Sequence, residues 1–175
     1  MKRFLERTSL STRALEFLID LHDADEGREE LIGTLCRLAE ELQAGAIAGG
    51  AIIDGRSAIF DRCVFPTLPA SSYSTLCHSP VAPPYIGTCA KAVCENRVVV
   101  CQDVATDTRF DADWRRLYLS FGLHSVQSAP VFGWNMKALG TFVMALRQPE
   151  ASFDAEVTGF GVCAMRTILQ KRKLN

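Results

Sequence analysis

Between Tyr85 and Val104 the chain reads Tyr-Ile-Gly-Thr-Cys-Ala-Lys-Ala-Val-Cys-Glu-Asn-Arg-Val-Val-Val-Cys-Gln-Asp-Val. Gly87 opens a short helix, Asn96 ends it, and the β-branched run Val98–Val100 delivers Asp103 at its far end. A glycine turn, helix and short strand of this kind can wall one side of a small-molecule pocket. Asp103 would accept hydrogen bonds from a ligand or order the loop 104–110, and Tyr85, held between Pro83-Pro84 and Gly87, would cover the cavity. Cys77 and Cys89 bring thiols to the same region. Cys89 falls at a helix start, where the peptide dipoles can lower a thiol's pKa and leave it oxidisable; the competing reading is an inert buried hydrophobe.

A second group sits on the strand 123–131. Leu123, Ser125, Gln127 and Ala129 alternate onto one face, with His124, Val126, Ser128 and Pro130 on the other. Ser125 and Gln127 on a central strand must be satisfied internally or face a wet cavity, where they would supply polar contacts to a ligand; the alternative is a strand partly open to solvent. For a metal the candidates are Cys77, His78, Cys89, Asp103 and His124. They contain no Cys-x-x-Cys or His-x-x-x-His pair, so spacing supports no metal site.

Elements to position these residues follow in order. Apolar residues at 10, 14, 17, 18 and 21 predict a helix over 10–21. Asp25 would cap a second helix with Leu31, Leu35, Leu38, Ala39 and Leu42 as its buried stripe, stopped at Gly45. Ala46–Ile53 and Ser57–Phe65 flank Asp54-Gly55, a strong hairpin signal. Prolines at 66, 69, 80, 83 and 84 make residues 66–86 mostly loop, with a helical turn or two at Ser71–Leu76. Asp111–Phe121 reads as a helix carrying Trp114, Leu117, Tyr118 and Phe121 on one side. Strands His124–Phe132 and Ala138–Leu146 are joined through Gly133–Met136. Ser152 would cap a last helix over 153–173, with Asp154 and Glu156 in its first turn. Gly159 and Gly161 each weaken that helix by about 1 kcal/mol relative to alanine, so it must lean on a partner surface. Strands paired by hairpins, with helices mainly on one side, predict one α+β domain. Its parts are an N-terminal helix (1–24), a core with the pocket (25–150) and a C-terminal helix (151–175).

Composition excludes several partners. The 175 residues are 48% hydrophobic, with 19 Lys and Arg against 20 Asp and Glu, for a net charge of −1. No basic field attracts nucleic acid or anionic membrane, and no apolar run is long enough to span a bilayer. The N-terminus lacks a secretory signal, and the seven cysteines are odd in number and scattered. A cytoplasmic location with free thiols is expected.

Four words resemble the GAF family: Gly87-Thr88-Cys89-Ala90-Lys91-Ala92-Val93; Val99 to Asp107; Gly122 to Val131; and Leu139-Gly140-Thr141-Phe142. They occur in the family's order and spacing, within a likeness running from Leu31 to Leu169, and the Leu68-Pro69 region with Tyr73 resembles its crossover. The resemblance implies a PAS-related antiparallel sheet of five or six strands. Terminal helices would lie on one face, with pocket-forming loops and helices on the other. It further implies a cytoplasmic homodimer paired through the helices at 10–21 and 153–173. The variant is similar to those in bacterial sensor kinases, cyclic-dinucleotide signalling enzymes and transcriptional regulators. The expected function is therefore small-molecule sensing without catalysis, at Cys77, Tyr85, Cys89, Asp103, Ser125 and Gln127. The resemblance leaves the cofactor unknown, and a haem or non-haem iron remains open.

Other members of that fold set the alternatives. Cys77 and Cys89 loosely resemble two cysteines of free methionine-R-sulfoxide reductases, but no cysteine occurs from 102 to 162, where the family's third thiol would lie. Reductase activity is therefore not expected. Bilin attachment would need a cysteine where Trp114-Arg115-Arg116 stands, and the Asn-Lys…Phe…Asp-Glu signature of cyclic-nucleotide binding is missing. A dimerisation scaffold with a collapsed pocket is the last alternative.

Overall fold

The computed structural model describes residues 12–21 and 26–171. Its centre is an antiparallel sheet of five strands in the order β2-β1-β5-β4-β3. These are β1 (Ala46–Asp54), β2 (Ile59–Val64), β3 (Val99–Cys101), β4 (Ser125–Phe132) and β5 (Ala138–Leu146). The helices are α1 (12–21), α2 (Arg28–Leu42), α3 (Thr88–Glu95), α4 (Ala112–Ser120) and α5 (Ala155–Gln170). This is the α+β arrangement around an antiparallel sheet that the sequence predicts.

Alternation along the strands sorts two apolar cores. On one face, Ala46, Ala48, Phe142 and Met144 meet Ile32, Leu35 and Cys36 of α2 and Val157, Met165 and Ile168 of α5. On the other, Ile47, Ala51, Phe60, Val126, Val143 and Ala145 meet Cys89, Ala92, Trp114 and Tyr118 from α3 and α4. The helices thus divide between the two faces, α2 and α5 on one and α3 and α4 on the other.

Several boundaries move for local reasons. Asp25 lies outside the described residues, and α2 starts from Gly27, which makes no side-chain cap. Leu10, in the predicted first helix, also lies outside them. The β1–β2 turn is longer than a two-residue hairpin: the Asp54 carboxylate accepts from Arg56 N and Ser57 N, and the left-handed residue is Ala58 (φ 53°). Asp154, not Ser152, caps α5, accepting from Glu156 N (2.7 Å) and Val157 N (3.2 Å). Asn96 ends α3 in the left-handed region (φ 48°, ψ 41°), as its position in the sequence predicts. Among the described residues, no helix is long and apolar enough to cross a membrane.

Candidate functional site

The segment 65–87 between β2 and α3 lies over the face opposite α2 and α5, with Ala70–Tyr73 as a single 3₁₀ turn. It returns along the open edge of β2: His78 N donates to Phe60 O (2.7 Å), Phe60 N to Ser79 O (3.0 Å) and Val81 N to Ala58 O (2.9 Å). The edge strand is thereby covered.

Under the start of α3 lies a knot of buried polar groups. Thr88 Oγ1 and Ser128 Oγ are 2.7 Å apart, and Cys89 Sγ is 3.4 Å from the same Ser128 oxygen. The Thr141 hydroxyl is buried near the Cys89 thiol and makes no hydrogen bond among the described residues. All four side chains are almost wholly buried. Burial pushes the Cys89 thiol up, outweighing the hydroxyl bonds that stabilise its thiolate. The expectation of a thiol acidified by the helix start is therefore corrected.

Around this knot the packing is aromatic. Trp114 lies 5.3 Å from Phe110 and 4.5 Å from Tyr118 between ring centroids. Tyr85 is half-buried at the rim, with Lys91 Nζ 5.0 Å from its ring centroid. Asp103 orders its own loop, accepting from Ala105 N and the Thr106 hydroxyl, both at 3.0 Å.

Asp107 carries the loop further. It accepts from Arg109 Nε (2.8 Å), and Arg109 Nη2 reaches back to Val100 O (3.0 Å) on β3. Arg109 holds the Asp107 carboxyl below its usual range, and burial pushes the neighbouring Cys101 thiol up to about 12. A depressed carboxylate pKa contributes stability above the unfolded value, and that stability is lost as pH falls through the folded one. Wild type should therefore melt above Asp107→Asn at neutral pH, and the two should converge below about pH 4. Melting curves across pH check this, and a constant difference would contradict it.

The six residues selected from sequence divide. Cys77, Tyr85, Cys89 and Asp103 belong to the crossover side and its rim. Ser125 and Gln127 do not join them. Gln127 Nε2 donates to Thr158 Oγ1 of α5 (2.7 Å), while the Ser125 hydroxyl lies against the carbonyls of Gln102 and Gln148. The alternation was read correctly, but it is Val126 and Ser128 that face the crossover. Ser128 and Thr141 were missed; each shares a face with an apolar neighbour two residues away, Val126 and Val143, and that parity is the signal for them. Cys63 was missed as well. Gln127 instead lines a groove of about 480 Å³ with Val98, Pro130, Phe153, Thr158 and Val162, on the α5 side of the sheet. Among the described residues, no group of three His, Cys, Asp or Glu side chains is placed to hold a metal ion.

The sequence profile of the GAF domain matches residues 25–160. Among solved structures, the free methionine-R-sulfoxide reductase of Neisseria meningitidis, in complex with its substrate, is similar over 97% of this chain and 89% of its own, at 17% identity and a TM-score of 0.67. A Burkholderia vietnamiensis protein described as a GAF sensor is similar over 94% of each chain, at 13% identity and a TM-score of 0.67. The reduced fRMsr of Staphylococcus aureus covers 92% of this chain and 91% of its own, at 17% identity and a TM-score of 0.62. None of the curated proteins matches this sequence. The expectation that the chain is not an enzyme is corrected by these neighbours, because the same fold over nearly the whole chain is an enzyme in Neisseria meningitidis. That expectation rested on the lack of a cysteine from 102 to 162 beside Cys77 and Cys89.

Proposed function

The chain belongs to the GAF domain family, and on that premise we propose that it is a small-molecule-sensing regulatory domain of bacterial signal transduction. Its ligand binds on the crossover side, among Cys77, Tyr85, Cys89 and Asp103. The observation that carries this reading is the crossover 65–87 itself, a long segment with one 3₁₀ turn held over a sheet face. Connections beyond about 12–15 residues without regular structure are usually functional. The polar knot of Thr88, Cys89, Ser128 and Thr141 beneath it adds hydrogen-bonding groups to an apolar wall, the composition of a ligand site. A change in the site reaches a partner copy through the terminal helices, where Leu15 and Ile19 stand one turn apart on α1, each 59% exposed.

A thermal-shift screen of metabolites tests the reading. A ligand at about a hundred times its Kd stabilises by about 2.7 kcal/mol, which for a chain of this size raises Tm by roughly 5–11 °C. Tyr85→Ala should reduce that shift while leaving the ligand-free Tm nearly unchanged. Native mass spectrometry of freshly purified protein reports both subunit number and any retained small molecule. No shift from any compound, with no molecule retained, would overturn the proposal.

A second reading, thiol-dependent reduction of free methionine-R-sulfoxide, is favoured by Cys63 and Cys89 sharing the crossover-side core. Turnover of the sulfoxide by the wild type, lost in Cys89→Ser, would establish it over the sensor reading.

A further inference from the structure

We propose that the groove between the β3 edge and α5 is a second small-molecule site, which takes an aromatic carboxylate carrying a hydrogen-bond donor. It lies on the sheet face opposite the crossover, so the inference goes beyond the site proposed above. The groove arises from the topology. Helices α2 and α5 pack against β1, β4 and β5, while β3 is the last strand of the sheet and Val98, which leads into it, stays 43% exposed. The space left beside α5 is about 480 Å³, inside the range of small-molecule pockets, roughly 300–1,000 Å³. Val98, Pro130, Phe153 and Val162 make its wall mostly apolar. Gly159 is the second observation. It lines the groove from α5, and a Cβ there would meet nothing within 4 Å. Packing therefore gives no reason for a residue that weakens the helix, in contrast to Gly161 against Phe142. What the missing side chain provides is close approach to the helix backbone for an occupant of the groove.

The polar groups set the ligand's chemistry. The Thr158 hydroxyl gives its one proton to Asp154 O (2.8 Å), so toward Gln127 Nε2 (2.7 Å) it accepts. That fixes which way the Gln127 amide is turned. Its carbonyl oxygen takes no hydrogen bond among the described residues, although the side chain is 8% exposed and lines the groove. A ligand satisfies that oxygen by donating an O–H or N–H. The charge comes from the rim. Arg97 pairs with Glu95 (2.5 Å), but Glu95 is also paired with Lys91 (2.6 Å), so two cations share one carboxylate and positive charge remains at the mouth. A guanidinium there meets a ligand carboxylate with two parallel hydrogen bonds. Asp154, on the α5 side, is already engaged by the N–H groups of Glu156 and Val157. Between donor and acid, Pro130 and Phe153 offer flat apolar surface suited to a ring.

The experiment titrates para-hydroxybenzoate, para-hydroxyphenylacetate and para-aminobenzoate into the isotope-labelled full chain and follows the backbone amide shifts. The expected result is a saturable shift from at least one acid, centred on Val98, Gln127 and Gly159. The neutral carboxamide of that acid should bind about three- to tenfold more weakly. Arg97→Gln should weaken the acid by a similar factor and leave the carboxamide unchanged, which a merely structural role for Arg97 would not do. Gly159→Leu fills the groove from the helix and should abolish the shifts, yet melt no lower than the wild type, because its Cβ meets nothing. Tyr85→Ala, at the rim of the crossover site, should leave the titration as it is, so failure of one site is told apart from failure of the other. No saturable shift from any of the three acids at millimolar concentration, shifts confined to the crossover side, or undiminished binding by the Gly159→Leu chain overturns the proposal.

Discussion

Replacing Trp114 with alanine is expected to destabilise the protein by about 3–5 kcal/mol and to lower Tm by roughly 6–20 °C. Trp114 is 2% exposed and stands at the centre of the aromatic cluster, between Phe110 and Tyr118. Removing it leaves a cavity between α4 and the start of α3. It also removes the wall behind Gly87, whose absent Cβ would lie 2.4 Å from the indole nitrogen. The first turn of α3, with Thr88 and Cys89, would lose its backing, so any ligand-induced shift in Tm should fall with stability. The other tryptophan supplies the control. Trp134 is 79% exposed in the β4–β5 turn, with Arg166 over its ring at 5.0 Å, and Trp134→Ala should change stability by no more than about 0.5 kcal/mol. Thermal unfolding of the two variants checks the contrast, and equal losses would contradict the packing described.

How much of this was legible depended on whether a signal was local. Asn96 as the end of α3, Asp111 before α4 and the paired strands Ser125–Phe132 and Ala138–Leu146 rest on backbone chemistry confined to a few residues, and the sequence carries them. The period of two along β4 was equally legible, but which parity faces the crossover depends on what packs against each side. Ser125 and Gln127 were consequently placed on the wrong side, and Ser128 was passed over. The neighbours of Cys89 come from β4 and β5, so the balance that raises its pKa lies beyond any local reading. The return of residues 78–81 along the edge of β2 likewise needs the whole crossover to fold back. Such non-local pairing leaves no mark in spacing.

The two glycines of α5 show the same limit as a difference in sign. From sequence they are equivalent breaks in a helix, each expected to weaken it by about 1 kcal/mol. A Cβ at Gly159 meets nothing within 4 Å, so Gly159→Ala should stabilise by up to about 1 kcal/mol. A Cβ at Gly161 would lie 2.3 Å from Phe142 Cε1 and 2.5 Å from Cζ. Phe142 is 1% exposed in the middle of β5 and packed among Met144, Met165 and Ile168, so its ring has nowhere to turn. Alanine there must lift α5 off the sheet, and overpacking of this kind costs about 1–3 kcal/mol, more than the helix propensity returns. Gly161→Ala should accordingly lower Tm by roughly 2–12 °C minus that small gain, while Gly159→Ala raises it. Because α5 is one of the helices through which a change in the site would pass to a partner copy, Gly161→Ala should also weaken any dimer seen by native mass spectrometry, and Gly159→Ala should not. If both substitutions stabilise, the close approach of α5 to Phe142 is wrong, and with it the route proposed from the sheet to the terminal helices.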